Sequence, residues 1–220
     1  ETLDTLLKAF VTQEGLIDYP KLGDSQSLGD LVRWFGRYGP KTAPQLFTTR
    51  AEELAYYMNA YNTLVLWGVM RHWPIYSVMD IADSGLLSIK PGQGFFMSLR
   101  FVLDDEWTNL YDLENDIIRS FDDARIHAAI SCASLSCPRL QSQSFRADSL
   151  NPALNKAMEE MITAPDHLEV VHSDGIILAS SIFEWFREDF EGEGETLLGF
   201  WQSYAQGKAA DDLAKAQAGN

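Results

Sequence analysis

Cysteine is scarce in this chain, with two residues among 220. That is too few for a disulfide-dense scaffold, and the Cys132-x4-Cys137 spacing lacks the paired C-x2-C steps of a zinc site. Positive charge is scarce too. Against 32 Asp and Glu stand 17 Lys and Arg, a net charge of −15 that repels phosphate backbones and acidic lipid surfaces. Nucleic acid is therefore excluded as a natural partner. No apolar run approaches the ~18 residues of a membrane helix, so no membrane insertion is expected. Nor does any motif ask for a cofactor: Pro91-Gly-Gln-Gly94 is a turn candidate without the Lys-Ser/Thr of a phosphate loop.

What remains is a 46% hydrophobic chain, long enough to bury a sizeable core. A single globular domain is expected over residues 1–205, followed by an Ala-rich polar tail at 206–220 that frays. The first residue is Glu1, which fits a chain whose leader has been removed, and with the acidic body it gives a periplasmic or secreted location as the expectation.

Apolar spacing predicts helices over Thr2–Val11 and Leu28–Tyr38. Thr49-Arg-Ala-Glu52 reads as a capping box opening a helix to about His72, with Pro74 beyond as a stop. Its middle, YYMNAYNTLVLWGVM, is apolar nearly all round, the pattern of a central buried helix. Asn59 and Asn62 lie inside it and must find partners, since an unpaired buried amide is costly. They either tie the helix to adjacent loops or donate to a substrate carbonyl. Asp83 to Leu103 reads as strands or a hairpin. Thr108 to Phe121 reads as a helix with Glu114 on its apolar stripe, paired to Arg119 or Arg125 or holding the histidine that follows.

That histidine, His127, falls in RIHAAISCASLSCPRL, which carries both cysteines. Arg125 to Ser131 reads as a short buried strand. On a regular strand Cys132 points away from His127, so a thiol-imidazole pair requires a bend near Ser131. Buried thiols or a small-loop disulfide are the structural alternatives. Further on, a helix is expected around Asn151–Ile162. A hairpin follows at Ser173-Asp174-Gly175, with His167 and His172 as ordinary strand-end residues. A second capping box at Ser181-Ile-Phe-Glu184 and a helix over Thr196–Tyr204 complete the pattern.

The runs MNAYNTLVL, LYDLENDIIR, RIHAAISCASLSCPRL and SSIFEWFREDF, in that order over about Ala51 to Phe190, resemble the family catalogued as domain of unknown function 547. The resemblance implies an α+β fold: a helix-rich domain with a buried central helix on a small, mainly antiparallel sheet, associated with papain-like or transglutaminase-like cysteine hydrolases. It puts Asn59 and Asn62 in the helix motif, Glu114 in the acid position, and His127, Cys132 and Cys137 in the signature run. Asn115 stands where the family often has a histidine.

The expected chemistry is then acyl hydrolysis or transfer on a peptide or small-molecule substrate. Cys132 is the nucleophile, His127 its base, Glu114 the group fixing the imidazole, and Asn59 or Asn62 the oxyanion donor. Two other readings stand beside it. One is a binding or scaffolding domain with a Cys132–Cys137 disulfide; the other is a thiol-adduct or redox site for a small thiol such as glutathione.

Overall fold

The structure, a computed structural model, describes residues 3–23, 25–81, 92–134, 136–192 and 194–218. It is helix-rich with two small antiparallel hairpins, an α+β protein. The chain divides into two compact units, residues 1–121 with 130–150, and residues 122–129 with 151–220.

The first unit contains α1 (Leu3–Phe10), α2 (Tyr19–Gly23), α3 (Ser27–Arg37) and the long α4 (Arg50–His72). The Thr49 capping box forms: Thr49 Oγ1 accepts from the Glu52 amide while the Glu52 carboxylate accepts from the Thr49 amide. Burial wraps α4 on all sides through Tyr56, Met58, Tyr61, Leu64 and Leu66, as an almost uniformly apolar helix requires. Each such side chain contributes about 1.5–3 kcal/mol when fully withdrawn from water. Leu6, Leu7, Leu22 and Leu28 from the first three helices pack with Leu66 of α4 and Leu140.

Strands β1 (Phe101–Leu103) and β2 (Glu106–Thr108) form a two-residue hairpin. Its turn residues Asp104 and Asp105 both take the left-handed conformation (φ 52° and 63°), which aspartate tolerates better than most residues. The Asp104 and Asp105 amides donate to the Phe35 and Gly36 carbonyls at the end of α3, each at 2.9 Å. The buried Asp104 carboxylate accepts from the Lys41 amide (2.6 Å), the Thr42 amide (2.9 Å) and the Thr42 hydroxyl (2.6 Å). Gly39 is required here: a Cβ on it would lie 2.5 Å from Asp104 Cγ and 2.6 Å from the Tyr56 hydroxyl.

Of the strands or hairpin expected over Asp83–Leu103, the described residues show a strand at Phe101–Leu103, paired forward to Glu106–Thr108, while Gly94–Ser98 is a wide helical turn. The part over residues 82–91 lies outside the described residues. After β2, α5 (Leu110–Asp112) runs on through a wide turn at Leu113–Ile118 and a tight one at Arg119–Phe121. Leu110, Leu113 and Ile118 are its fully buried stripe.

The second unit corrects three expectations. Ile126–Ala129 is a single helical turn, α6, not a strand. The Ile126, His127 and Ala128 amides donate three residues back, to Asp123, Ala124 and Arg125, at 3.1–3.3 Å. Such local bonds satisfy the backbone without a neighbouring strand, and alanine favours the helical state. Helix α7 (Leu150–Thr163) buries Leu154, Met158 and Met161, and β3 (Leu168–Val171) pairs with β4 (Ile176–Ala179) as the Asp-Gly step predicts. Gly175 takes the positive φ of that turn, 66°.

The second correction is at Ser181, where no capping box forms. Ser181 has helical dihedrals, so its hydroxyl is not aimed at the following amides. The segment makes two separate turns, α8 (Ile182–Trp185) and α9 (Arg187–Phe190), divided at Phe186. Beyond α10 (Leu197–Tyr204), the residues expected to fray instead form α11 (Gly207–Ala218). Leu213 is fully buried in a cluster with Met158, Phe183, Phe190 and Phe200, and that apolar anchor is what holds the helix.

Candidate functional site

Asn59 and Asn62 act first as ties. The Asn59 side chain makes a two-point clamp on Phe145, its Nδ2 donating to the Phe145 carbonyl (2.8 Å) and its Oδ1 accepting from the Phe145 amide (2.9 Å). One turn on, Asn62 Oδ1 accepts from the Ser131 amide at 2.9 Å. Both therefore hold the irregular arm at residues 130–150 to α4. The Asp4 carboxylate adds a third tie, accepting from the Ser144 amide at 2.6 Å. That bond holds the Asp4 carboxyl below its ordinary range.

Cys132 and Cys137 lie on this arm and are joined as a disulfide. Ala133 between them takes a left-handed conformation (φ 57°). Cys132 is half-buried and Cys137 buried.

Glu114 belongs to the first unit as well. The Tyr61 hydroxyl donates to its Oε2 at 3.1 Å. Complete burial pushes the Tyr61 phenol well above its ordinary pKa, and the Glu114 charge raises it further, so the phenol stays protonated as the donor. Asn115 donates to the Tyr111 carbonyl and accepts from Arg119, both at 3.0 Å.

His127 belongs to the second unit. It is buried, its Nε2 pairs with Asp189 Oδ2 at 2.7 Å, and its ring stacks on Phe186 with centroids 4.1 Å apart. Asp189 went unnoticed in the sequence. The signal available was an acid beside the i,i+4 aromatics Phe186 and Phe190, which close on the histidine from one side. Nearby, Arg125 chelates the Asp123 carboxylate (2.8 and 2.6 Å) and reaches Asn155 and Asn151 on α7, fixing the entry to α6. His172, expected as an ordinary strand-end residue, pairs through Nε2 with Asp212 of α11 at 3.0 Å.

A feature that hydropathy did not reveal is a cleft of about 590 Å³ in the first unit. Its floor is Phe35, Ala55, Tyr56, Asn59 and Phe145, and Trp34, Leu46 and Phe47 stand around it. The size is that of a small-molecule site. The rings interlock: Tyr56 lies 5.4 Å from Phe35 and 4.9 Å from Phe47 between centroids. Glu52, Asp30 and Arg146 supply the charge at its edge.

Among the described residues no group of three or more His, Cys, Asp and Glu is arranged to hold a metal ion, and no helix is long and apolar enough to cross a membrane.

Fold and site together define a helix-rich α+β protein with a crosslinked arm pinned to a buried central helix. The model of the family described as protein of unknown function, DUF547, matches residues 45–162, more than half of the chain, and the chain belongs to that family. The matched span holds α4, Glu114, His127 and both cysteines; the run SSIFEWFREDF, with Asp189, lies beyond it. No curated protein and no solved structure matches the chain.

Proposed function

We propose that this chain is a ligand-binding domain whose site is the cleft of the first unit, with the Cys132–Cys137 disulfide as a structural crosslink. The cleft is the observation that carries this reading: an aromatic, largely apolar concavity of about 590 Å³ with charged groups at its edge. The arm that carries the crosslink also carries Ser144 to Ala147, one side of the cleft, so fixing the arm shapes the site. A screen of ring-bearing fragments followed by two-dimensional NMR tests it. Binders shift the Trp34 indole and the Phe145 amide; a broad screen that moves neither sinks the reading. The disulfide also supports an oxidising compartment, periplasmic or secreted, as the location.

Acyl transfer by Cys132 is the second reading, favoured by the half-buried position of Cys132. It needs the disulfide reduced so that a Cys132 thiolate can form. Alkylation separates the two. Under the binding reading iodoacetamide labels neither cysteine until a reductant is added, and labelling is then slow and indifferent to His127→Ala. Fast labelling of Cys132 that His127→Ala slows favours acyl transfer.

A further inference from the structure

The polar atoms in the floor of the cleft are already committed. The Tyr56 hydroxyl donates to the Phe35 carbonyl at 3.0 Å, and both ends of the Asn59 amide are taken by Phe145. A ligand therefore meets rings there. The charged pairs at the edge cancel locally: Asp30 pairs with Arg33, and Arg146 with Asp148 at 3.5 Å.

Glu52 is different. It receives four hydrogen bonds from Thr48 and Thr49, two from amides (2.8 and 2.9 Å) and two from hydroxyls (both 3.0 Å), and all four fall on Oε2. Those bonds, the Thr48 amide foremost, hold the carboxyl below its ordinary range and so ionised. Among the described residues no donor reaches the second oxygen, Oε1, which is left for a donor at the cleft. Trp34, 40% exposed, offers an indole ring nearby, 6.4 Å from Tyr56 between centroids. Aromatic faces and a carboxylate with one oxygen to spare are complementary to an ammonium group on an apolar body. A net charge of −15 favours the approach of a cation and disfavours an anion.

We propose that the cleft binds small organic cations, a ring-sized apolar body seated on Phe35, Tyr56 and Phe145 with a primary ammonium donating to Glu52 Oε1. This rests on the binding reading above and names its ligand class. The test uses the full chain and three probes of one shape: phenethylamine, 2-phenylethanol and phenylacetate, titrated by NMR at the Trp34 indole. Phenethylamine is expected to bind at least about tenfold more tightly than the alcohol, the worth of one charge-assisted hydrogen bond, and phenylacetate more weakly than either.

Glu52→Gln is the paired variant, because glutamine also completes a capping box and so preserves the start of α4. It is expected to weaken the amine about tenfold and leave the alcohol within twofold. Equal affinity of amine and alcohol for the unsubstituted chain, tighter binding of phenylacetate, or an amine affinity unmoved by Glu52→Gln each overturns the cation proposal. In all three cases the cleft remains a binding site. If no probe or screened fragment shifts Trp34, the binding reading itself falls.

Discussion

Replacing Asn59 by alanine removes the clamp between α4 and the cleft side of the arm, and the size of the loss follows from the two bonds. The Phe145 amide and carbonyl each lose their partner, at 2.9 and 2.8 Å, and Phe145 itself is 5% exposed. A buried polar backbone group left unsatisfied costs about 1–3 kcal/mol, so two such groups set a ceiling near 6 kcal/mol. Asn59 is only half-buried, however, and borders the cleft, so water reaches the vacated positions and replaces part of what is lost. A loss of about 2–3 kcal/mol is expected. In urea that moves the unfolding midpoint down by about 1 M at an unchanged slope. Hydrogen exchange gives the local readout: the Phe145 amide loses protection while the Ser131 amide, held by Asn62, keeps it. A loss below about 0.5 kcal/mol with Phe145 protection unchanged would refute the claim that the Asn59 amide holds the arm.

Asp104→Ala strips three donors of their acceptor and leaves alanine at φ 52°, and a loss of about 3 kcal/mol is expected on thermal or urea unfolding, with Asp104→Asn costing less than half as much. Reducing the disulfide opens a loop with a sequence separation of only 5, so chain entropy predicts a loss of about 2 kcal/mol; a reduced protein that melts at the oxidised temperature contradicts it. Asp212 is held at about 2, against an ordinary 3.8, first by the Lys208 hydrogen bond and then by that of His172. Because the folded pKa is the lower one, the stabilisation is complete above about pH 4 and lost as pH falls through about 2. Asp212→Asn should therefore flatten the acid limb of the stability profile between those values; an unchanged limb rules the linkage out.

Helices with complete local signals were legible. Thr49 and Glu52 bracket the start of α4, Pro74 stands past its end, and the uniform apolarity between them gives its burial. The Asp174-Gly175 step gave the β3–β4 hairpin for a similar reason, since a positive φ at that turn is a local requirement. Segments whose state depends on distant partners were not legible. IHAA fits a buried strand or a helical turn equally well from four residues, and the bonds back to Asp123, Ala124 and Arg125 decide for the turn. The Ser181 motif has the right residue types, but the chain enters it already in helical dihedrals. The tail lacks a broad apolar stripe, and its order depends on Leu213, with Ala209 and Ala210, meeting a cluster drawn from six other elements. The cleft is a product of tertiary arrangement, its residues coming from α1, α3, α4, the loop before α4 and the arm.

The asparagines were legible as a demand and not as an answer. A buried amide in an apolar helix must be paired, and an irregular arm has backbone groups that no ladder satisfies, so the two requirements meet. That pairing bears on the chemistry. An oxyanion donor must be ready to bind the developing charge without first giving up another bond, because preorganisation is what makes such donors effective. Asn59 Nδ2 gives one of its two N–H groups to the Phe145 carbonyl at 2.8 Å while Oδ1 takes the Phe145 amide, so turning the amide to aim its second N–H at an oxyanion would exchange that clamp for the new bond. Ligand binding on the rings beside that clamp needs no such exchange. The same hydrogen bond that weakens the case for Asn59 as a catalytic donor strengthens the case for it as the part that keeps the cleft in shape.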